Sequence, residues 1–510
     1  MESRKKSIHK KKGAQKMKTS YKLISFLLAL LLLLPAIAAC DSASSNEETT
    51  LAQNESVAEN TAEESASETE EVVLIPCPEN NYGADFFLLI HGDSNRFEYH
   101  WVEESSNDVL SQAIFDRQQK VYNHLGVNVE ATKALATYNY IEPFKNAVKN
   151  KDGSVDMLLT HVYHGIDGFV TGNYLTDFNN IPGINLEADY WNLDIIEEAS
   201  FNGSYYLAKN DFNILYTYAI TFNKDLMAKY EDAMEEDVYT MVENYRWTLD
   251  RMISVAELVY IDTTSDGKTI DDTFGIAGEC NVPMIGFMHA SNINMIEQNE
   301  KGEYAVSVYN EMNQAKTTDL VEKLKALVAS DCAWLWTYGS GENLALEKGT
   351  SLMMLTSTNH LPNLLNYDIN FGVLPYPMYD EDQKDAGYRS LQWGGYTCVP
   401  SYVSNINMVG DTIEMLAYFS DGVNEAFYEK LIGKQVAESP IDKKMLEIIW
   451  DGICTDFAQT YYGAISGSQF LYMLPELTKT GSTANLSSYV ASAEKSVNKI
   501  LKKLALTTGK

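Results

Sequence analysis

Residues 201–230 read FNGSYYLAKNDFNILYTYAITFNKDLMAKY. Gly203 permits a short hairpin, because glycine adopts left-handed turns without steric cost. An aromatic and β-branched stretch follows and reads as a strand. Asn223-Lys224-Asp225 then opens a helix, with asparagine able to cap the first free N–H groups.

The same alternation extends outward. On the N-terminal side, 85–90 (DFFLLI) and 97–104 (FEYHWVEE) read as strands. Residues 106–126 read as a helix capped by Ser106 or Asn107 and ended by Gly126, with Leu110, Ile114, Val121 and Leu125 on one stripe. A strand at 127–134, a helix at 140–150 and a strand at 155–161 complete βαβ units, which require a mostly parallel sheet. On the C-terminal side, 222–230, 247–261 and 318–330 read as helices, and 273–278, 351–357 and 369–377 as strands. Thr248 is placed to cap the second of these helices. From about Asp411 the pattern is helical. The fold class is therefore α/β.

The N-terminus is different in kind. Residues 4–22 hold nine Lys or Arg, and 23–35 (LISFLLALLLLLP) hold no charge. That is a secretory signal of basic and apolar regions, shorter than the ~20 residues a spanning helix needs. Met17 is an alternative start. Ile37-Ala38-Ala39-Cys40 resembles the bacterial lipobox, which implies a lipidated Cys40 at the mature N-terminus after removal of 1–39. Residues 41–72 contain ten acids and no base, and a segment so poor in apolar surface is expected to be a disordered tether.

The whole chain carries 39 basic and 71 acidic residues, a net charge of −32. Without residues 1–39 the balance is 30 to 70. Nucleic acid and anionic lipid need cationic faces, so neither is expected as a partner; the membrane is met through the lipid anchor only. Beyond Cys40 the five cysteines (Cys77, Cys280, Cys332, Cys398, Cys454) are widely spaced with no CxxC, which points to buried free thiols, with one disulfide left open. The 32 Tyr, 7 Trp and 18 Phe leave aromatic faces for stacking on sugar rings.

Motifs of catalysis do not assemble. Gly92-Asp93-Ser94 after an apolar strand resembles the start of a GDSL hydrolase, but no Asp-x-x-His follows. His161 and His164 lack a third metal ligand. The run 262–267 (DTTSDG) resembles half of a calcium loop, but Thr273 stands where a bidentate glutamate is required. No metal, cofactor or catalytic residue is expected.

The order of local motifs resembles that of the extracellular solute-binding proteins of bacterial ABC importers, the family that includes maltose-binding protein. The similarity rests on 201–230, with Gly203 and the Asn223-Lys224-Asp225-Leu226 helix start. It also rests on 104–130, on 172–191 (GNYLTDFNNIPGINLEADYW), on 247–252 (WTLDRM) and on 369–377 (INFGVLPYP). It covers most of residues 95–435. It implies a two-lobed periplasmic-binding-protein-like fold with a ligand cleft between lobes joined by a hinge. Lobe 1 would comprise 73–217 plus 372–433, and lobe 2 would comprise 218–371 plus 434–510. The chain would cross near 215–220, near 370 and near 434.

In such a fold ligands sit at strand C-termini and at the crossings. This selects Asn107 and Asp108 after the strand ending at Glu104, His161 and Tyr163, Tyr216 on the first crossing, Asn281, Asn359, and Trp393 and Tyr396 in 391–397 (LQWGGYT). Two glycines there permit close backbone approach. Maltose binders carry an acid where this chain has Tyr216, and a tryptophan where it has Asn359. The resemblance implies capture by hinge closure of an extracellular solute, with a sugar or oligosaccharide the expected ligand, at the outer face of the cell membrane, and delivery to permease subunits. A secreted carbohydrate-active enzyme and a surface sensor or adhesin of the same fold are the alternatives.

Overall fold

The computed structural model describes residues 75–92, 97–134, 139–161, 165–201, 203–213, 216–265, 267–299, 303–336, 348–392, 394–427, 439–463 and 468–508. Residues 73–510 form one compact unit. Cys40, its signal and its tether, with Tyr163 and Trp393, lie outside the described residues.

The first sheet has the order β13-β3-β1-β2. β1 (Ala84–Ile90) runs parallel to β2 (Val127–Lys133) and to β3 (Met157–Leu159), while β13 (Thr397–Cys398) is antiparallel to β3. Side chains alternate between its faces. Phe86, Leu88, Ile90, Met157 and Leu159 share a cluster with α1 (Val109–Leu125) and α8 (Ile406–Tyr418). Leu89 and Leu158 point the other way, into the cluster of α2 (Ile141–Asn150) and α3 (Ile166–Thr171). Asp108, rather than Ser106 or Asn107, caps α1 by accepting the Ser111 N–H at 3.0 Å. Gly126 ends α1 at φ 64°, where an added Cβ would strike Asn81.

The second sheet has the order β11-β4-β10-β6-β5, with β9 beside β6. Its members are β4 (Tyr218–Asn223), β5 (Tyr260–Ile261), β6 (Thr273–Glu279), β9 (Ala333–Trp336), β10 (Ser351–Ser357) and β11 (Phe371–Leu374). Every residue of β4, β10 and β11 is buried, as expected of strands covered on both faces. The covering helices include α5 (Leu249–Ala256), α6 (Val282–Ala290), α7 (Gln314–Ala329) and α9 (Pro440–Asp451), and a hairpin of β7 (Ile296–Gln298) and β8 (Tyr304–Val306) lies beyond α6. Short α10 (Phe457–Thr460) and long α11 (Leu486–Thr508) close the chain, and Val490, Ala493 and Val497 bury one stripe of α11.

Three expectations are corrected. Residues 97–104 form no strand; the chain turns there, with His100 and Trp101 N–H groups both donating to the Phe97 carbonyl and the Trp101 indole donating to Val129 O. The helix expected at 222–230 begins later, because β4 continues through Asn223, which then caps by accepting the Leu226 N–H. The boundary drawn at 371/372 falls inside β11, whose four residues all pair with β4. The chain returns to the first sheet only after β12 (Ser390–Leu391). The crossing expected near 434 lies outside the described residues. The five described cysteines are buried and free. No described helix is long and apolar enough to cross a membrane.

Two buried carboxylates fasten helices to this frame. Asp442 of α9 accepts Lys224 Nζ at 2.5 Å, Tyr239 OH at 2.5 Å and the Val373 N–H of β11 at 3.4 Å. Asp442→Ala leaves three donors behind, one the part-buried ammonium of Lys224, and should cost about 2–4 kcal/mol in urea unfolding. Lys479→Ala, which breaks an exposed pair with Glu476, should cost less than about 1 kcal/mol.

Glu414 of α8 accepts from Tyr190 OH, from Trp191 Nε1 at 2.9 Å and from the Asn185 N–H at 3.2 Å. Burial raises its carboxyl above the usual glutamate value. The folded chain therefore holds this proton more tightly than the unfolded chain. That contribution to stability is present below the unfolded value and is lost as pH rises through the folded value. Glu414→Gln should flatten this part of the stability–pH curve, measured by urea titrations between pH 4 and 7.

Candidate functional site

Strand ends from both sheets converge on a ribbon of short segments. Thr217, just before β4, bridges Gln392, just after β12. β12 in turn pairs with β14 (Ile453–Cys454). From the second sheet, the Thr358 N–H after β10 donates to Thr217 O at 2.9 Å, and the Thr217 N–H donates to Thr358 Oγ1 at 3.2 Å. From the first sheet, the Thr160 N–H after β3 donates to Tyr396 O at 3.0 Å, and the Tyr396 N–H donates to Thr160 Oγ1 at 3.1 Å. Gly395 makes this approach possible: an added Cβ would lie 1.5 Å from Thr160 O.

Tyr396 is the knot of the ribbon. It is fully buried, and its hydroxyl lies 2.8 Å from Gln392 Nε2 and 2.9 Å from both Thr455 Oγ1 and Thr460 Oγ1. Burial pushes its hydroxyl up to about 12. Buried Lys209 donates to Gly395 O at 2.6 Å and lies over the Tyr396 ring. In this arrangement of the lobes Tyr396 is enclosed by protein. Gln392 Oε1 is buried without a hydrogen-bond partner.

The other sequence candidates occupy several places. His161, buried just beyond β3, meets His91 at the end of β1 edge-on, with ring centroids 5.3 Å apart. Tyr216 is buried in an apolar cluster that joins Leu110 and Ile114 of α1 to Leu361 and Leu364 after β10. Asn281 stands half-buried at the start of α6, two residues after β6. Asn359 lies in the turn Thr358–His360 that follows β10. Asn107 and Asp108 are exposed ahead of α1, where Asp108 serves as the helix cap. His161, Asn281 and Asn359 thus stand just beyond strand ends, Tyr216 just ahead of β4 and Tyr396 in the ribbon, whereas Asn107 and Asp108 are on the surface.

Two further polar residues stand at strand ends. His91 directly follows DFFLLI, ahead of Gly92. Glu279 is the last residue of β6, and the strand-end rule reached past it to Asn281. Its carboxyl is raised by burial, and its Oε1 is buried without a partner. A carboxylate oxygen so placed is set to accept a hydroxyl proton. Among the described residues, no group of three or more His, Cys, Asp or Glu could hold a metal ion. An open groove on α7, bordered by Lys316, Asp319 and Tyr379, contains none of the strand-end residues.

No protein-family model matches the chain, and no curated protein matches it. Solved structures do. The cyclic alpha-maltosyl-1,6-maltose binding protein of Arthrobacter globiformis is similar with TM-score 0.56 at 13% identity, over 82% of this chain and 99% of that one. The GacH receptor of Streptomyces glaucescens, solved unliganded and with acarbose, is similar with TM-score 0.53 at 16% identity, over 82% and 98%. The maltose/maltodextrin-binding domain MalE of Bdellovibrio bacteriovorus, bound to maltotriose, is similar with TM-score 0.51 at 14% identity, over 82% and 100%. The chain has the two-lobed α/β fold of these binding proteins.

Proposed function

We propose that this protein is the solute-binding lipoprotein of an ABC importer, which captures a sugar or oligosaccharide outside the cell and hands it to a membrane permease. The observation that carries the proposal is the match to nearly the full length of sugar-binding structures, with strand ends of both lobes meeting at the ribbon. Closure of the lobes around the ligand is a population shift, with no covalent step. His91, His161, Glu279 and Asn281 supply hydrogen-bonding groups suited to sugar hydroxyls. Cys40 would hold the protein at the membrane through its lipid, with the acidic tether giving reach.

A thermal-shift screen of residues 73–510 tests the ligand class. A maltooligosaccharide at 100 times its dissociation constant should add ~2.7 kcal/mol of stability. It should be recovered intact; cleaved product would promote the enzyme reading instead. Glu279→Gln should weaken binding by roughly 5- to 10-fold, the difference of about 1–1.4 kcal/mol between a charged and a neutral acceptor for one hydrogen bond. Asp108→Ala should cost about 1 kcal/mol of stability as a lost helix cap, with affinity unchanged. In cells, Cys40→Ser should move the protein from the membrane fraction to the medium; retention at the membrane would reject the anchor.

A further inference from the structure

The edge of the second sheet that meets the ribbon holds polar atoms with nothing to bond. β6 and β10 run parallel, so their C-terminal ends lie side by side, and Thr358 after β10 is bonded to Thr217. Ala277 of β6 pairs with Met354 of β10. One residue on, a Cβ added at Gly278 would lie 2.9 Å from Leu355 Cβ, so the two strands stay in step. One residue further, Glu279 stands beside Thr356, and both side chains leave the face shared by Ala277 and Met354.

Glu279 Oε1 and Thr356 Oγ1 are both buried, and neither has a hydrogen-bond partner among the described residues. Thr356 is 4% exposed and Glu279 is half-buried. Burial raises the Glu279 carboxyl, an effect the Asn281 side chain partly offsets by hydrogen bonding. Other glutamates raised by burial are met by donors. Glu414 has three, and Glu198, at the end of α4 (Leu193–Glu198), accepts the Thr455 N–H at 3.0 Å. A buried polar atom left unmet costs stability, so two on neighbouring strands call for a partner from outside the chain.

The two groups select that partner by chemistry. An ionised carboxylate only accepts, whereas a threonine hydroxyl donates and accepts. An ammonium only donates and would leave the Thr356 proton unmet. A carbonyl only accepts and would leave Glu279 unmet. A hydroxyl serves both through one oxygen. Neighbouring strands lie roughly 4.8 Å apart, and a hydroxyl oxygen held about 2.8 Å from each side bridges that gap.

We propose that Glu279 and Thr356 form a two-point site for one hydroxyl of the solute, which donates to Glu279 Oε1 and accepts from Thr356 Oγ1. The proposal rests on the solute-binding reading above and narrows its ligand to a hydroxyl-bearing one. It also adds Thr356, which lies inside β10 and is therefore passed over when only residues beyond strand ends are considered. Thr221 is the natural control. Its Oγ1 is likewise buried without a partner, but it pairs with Met354 and so lies one row deeper in the sheet.

The test titrates maltotriose into the full chain carrying Cys40→Ser by isothermal calorimetry, with urea unfolding of the free protein alongside. Thr356→Val keeps the shape and removes the hydroxyl; it should weaken binding about tenfold without lowering the urea midpoint. Thr356→Ser should return the affinity to within about threefold of the parent. In the Glu279→Gln background the further loss from Thr356→Val should shrink to less than about threefold, because both groups hold one hydroxyl. Thr221→Val should leave affinity unchanged. Parental affinity in Thr356→Val, losses that simply multiply in the double variant, or an equal loss in Thr221→Val would overturn the site. So would a lowered midpoint in free Thr356→Val, which would show that the hydroxyl is already met inside the protein. If the parent binds no sugar, the carbohydrate reading falls and the site with it; if the parent binds and Thr356→Val binds equally, the site alone falls.

Discussion

The paired bonds between Thr217 and Thr358 on one side, and between Thr160 and Tyr396 on the other, are the constraint from which the architecture follows. Each lobe is a sheet with its own helices and core. Only where the chain crosses must the two sheets agree on a position. Backbone N–H and C=O groups buried at such a junction have to be paired, because an unmet bond costs about 1–3 kcal/mol. Here they are paired with strand ends, so the ribbon and the C-terminal ends of β3 and β10 are held in register.

The core divides in the same way. Alternate residues of β1 face either the α1 and α8 layer (Phe86, Leu88, Ile90) or the α2 layer (Leu89), and on the latter side Asp85 and Phe87 at the start of the strand are exposed. The largest cluster nevertheless runs from α2 through Phe201 and Tyr461 into the second lobe. The lobes are therefore tied by apolar packing beside the ribbon as well as by the ribbon itself. That packing opposes free rotation of one lobe against the other.

Much of this was legible in the sequence. The stripe Leu110, Ile114, Val121 and Leu125 gave α1, and all four residues are buried. Gly126 and Thr248 marked helix ends by their chemistry. The run SLMMLTS read as a strand, and the structure buries every residue of it. The errors have physical causes. FEYHWVEE has strand composition, but Phe97 and Trp101 pack edge-on across a turn. INFGVLPYP was placed at a crossing, whereas antiparallel pairing with β4 keeps it in the second sheet. At the site, strand ends were the guide, and nothing in the sequence separates a residue that ends a strand, such as Glu279, from one two positions on. The burial of Tyr396 was equally hidden, because its three hydroxyl partners come from 392, 455 and 460.

Capture by closure makes a claim about shape that small-angle X-ray scattering can read directly. The protein would be titrated with maltotriose, and the sugar analysed afterwards. The account predicts a fall in radius of gyration that saturates at one ligand per chain, with the trisaccharide recovered intact. Saturable binding with no change in radius, or recovery of shorter sugars, would contradict it.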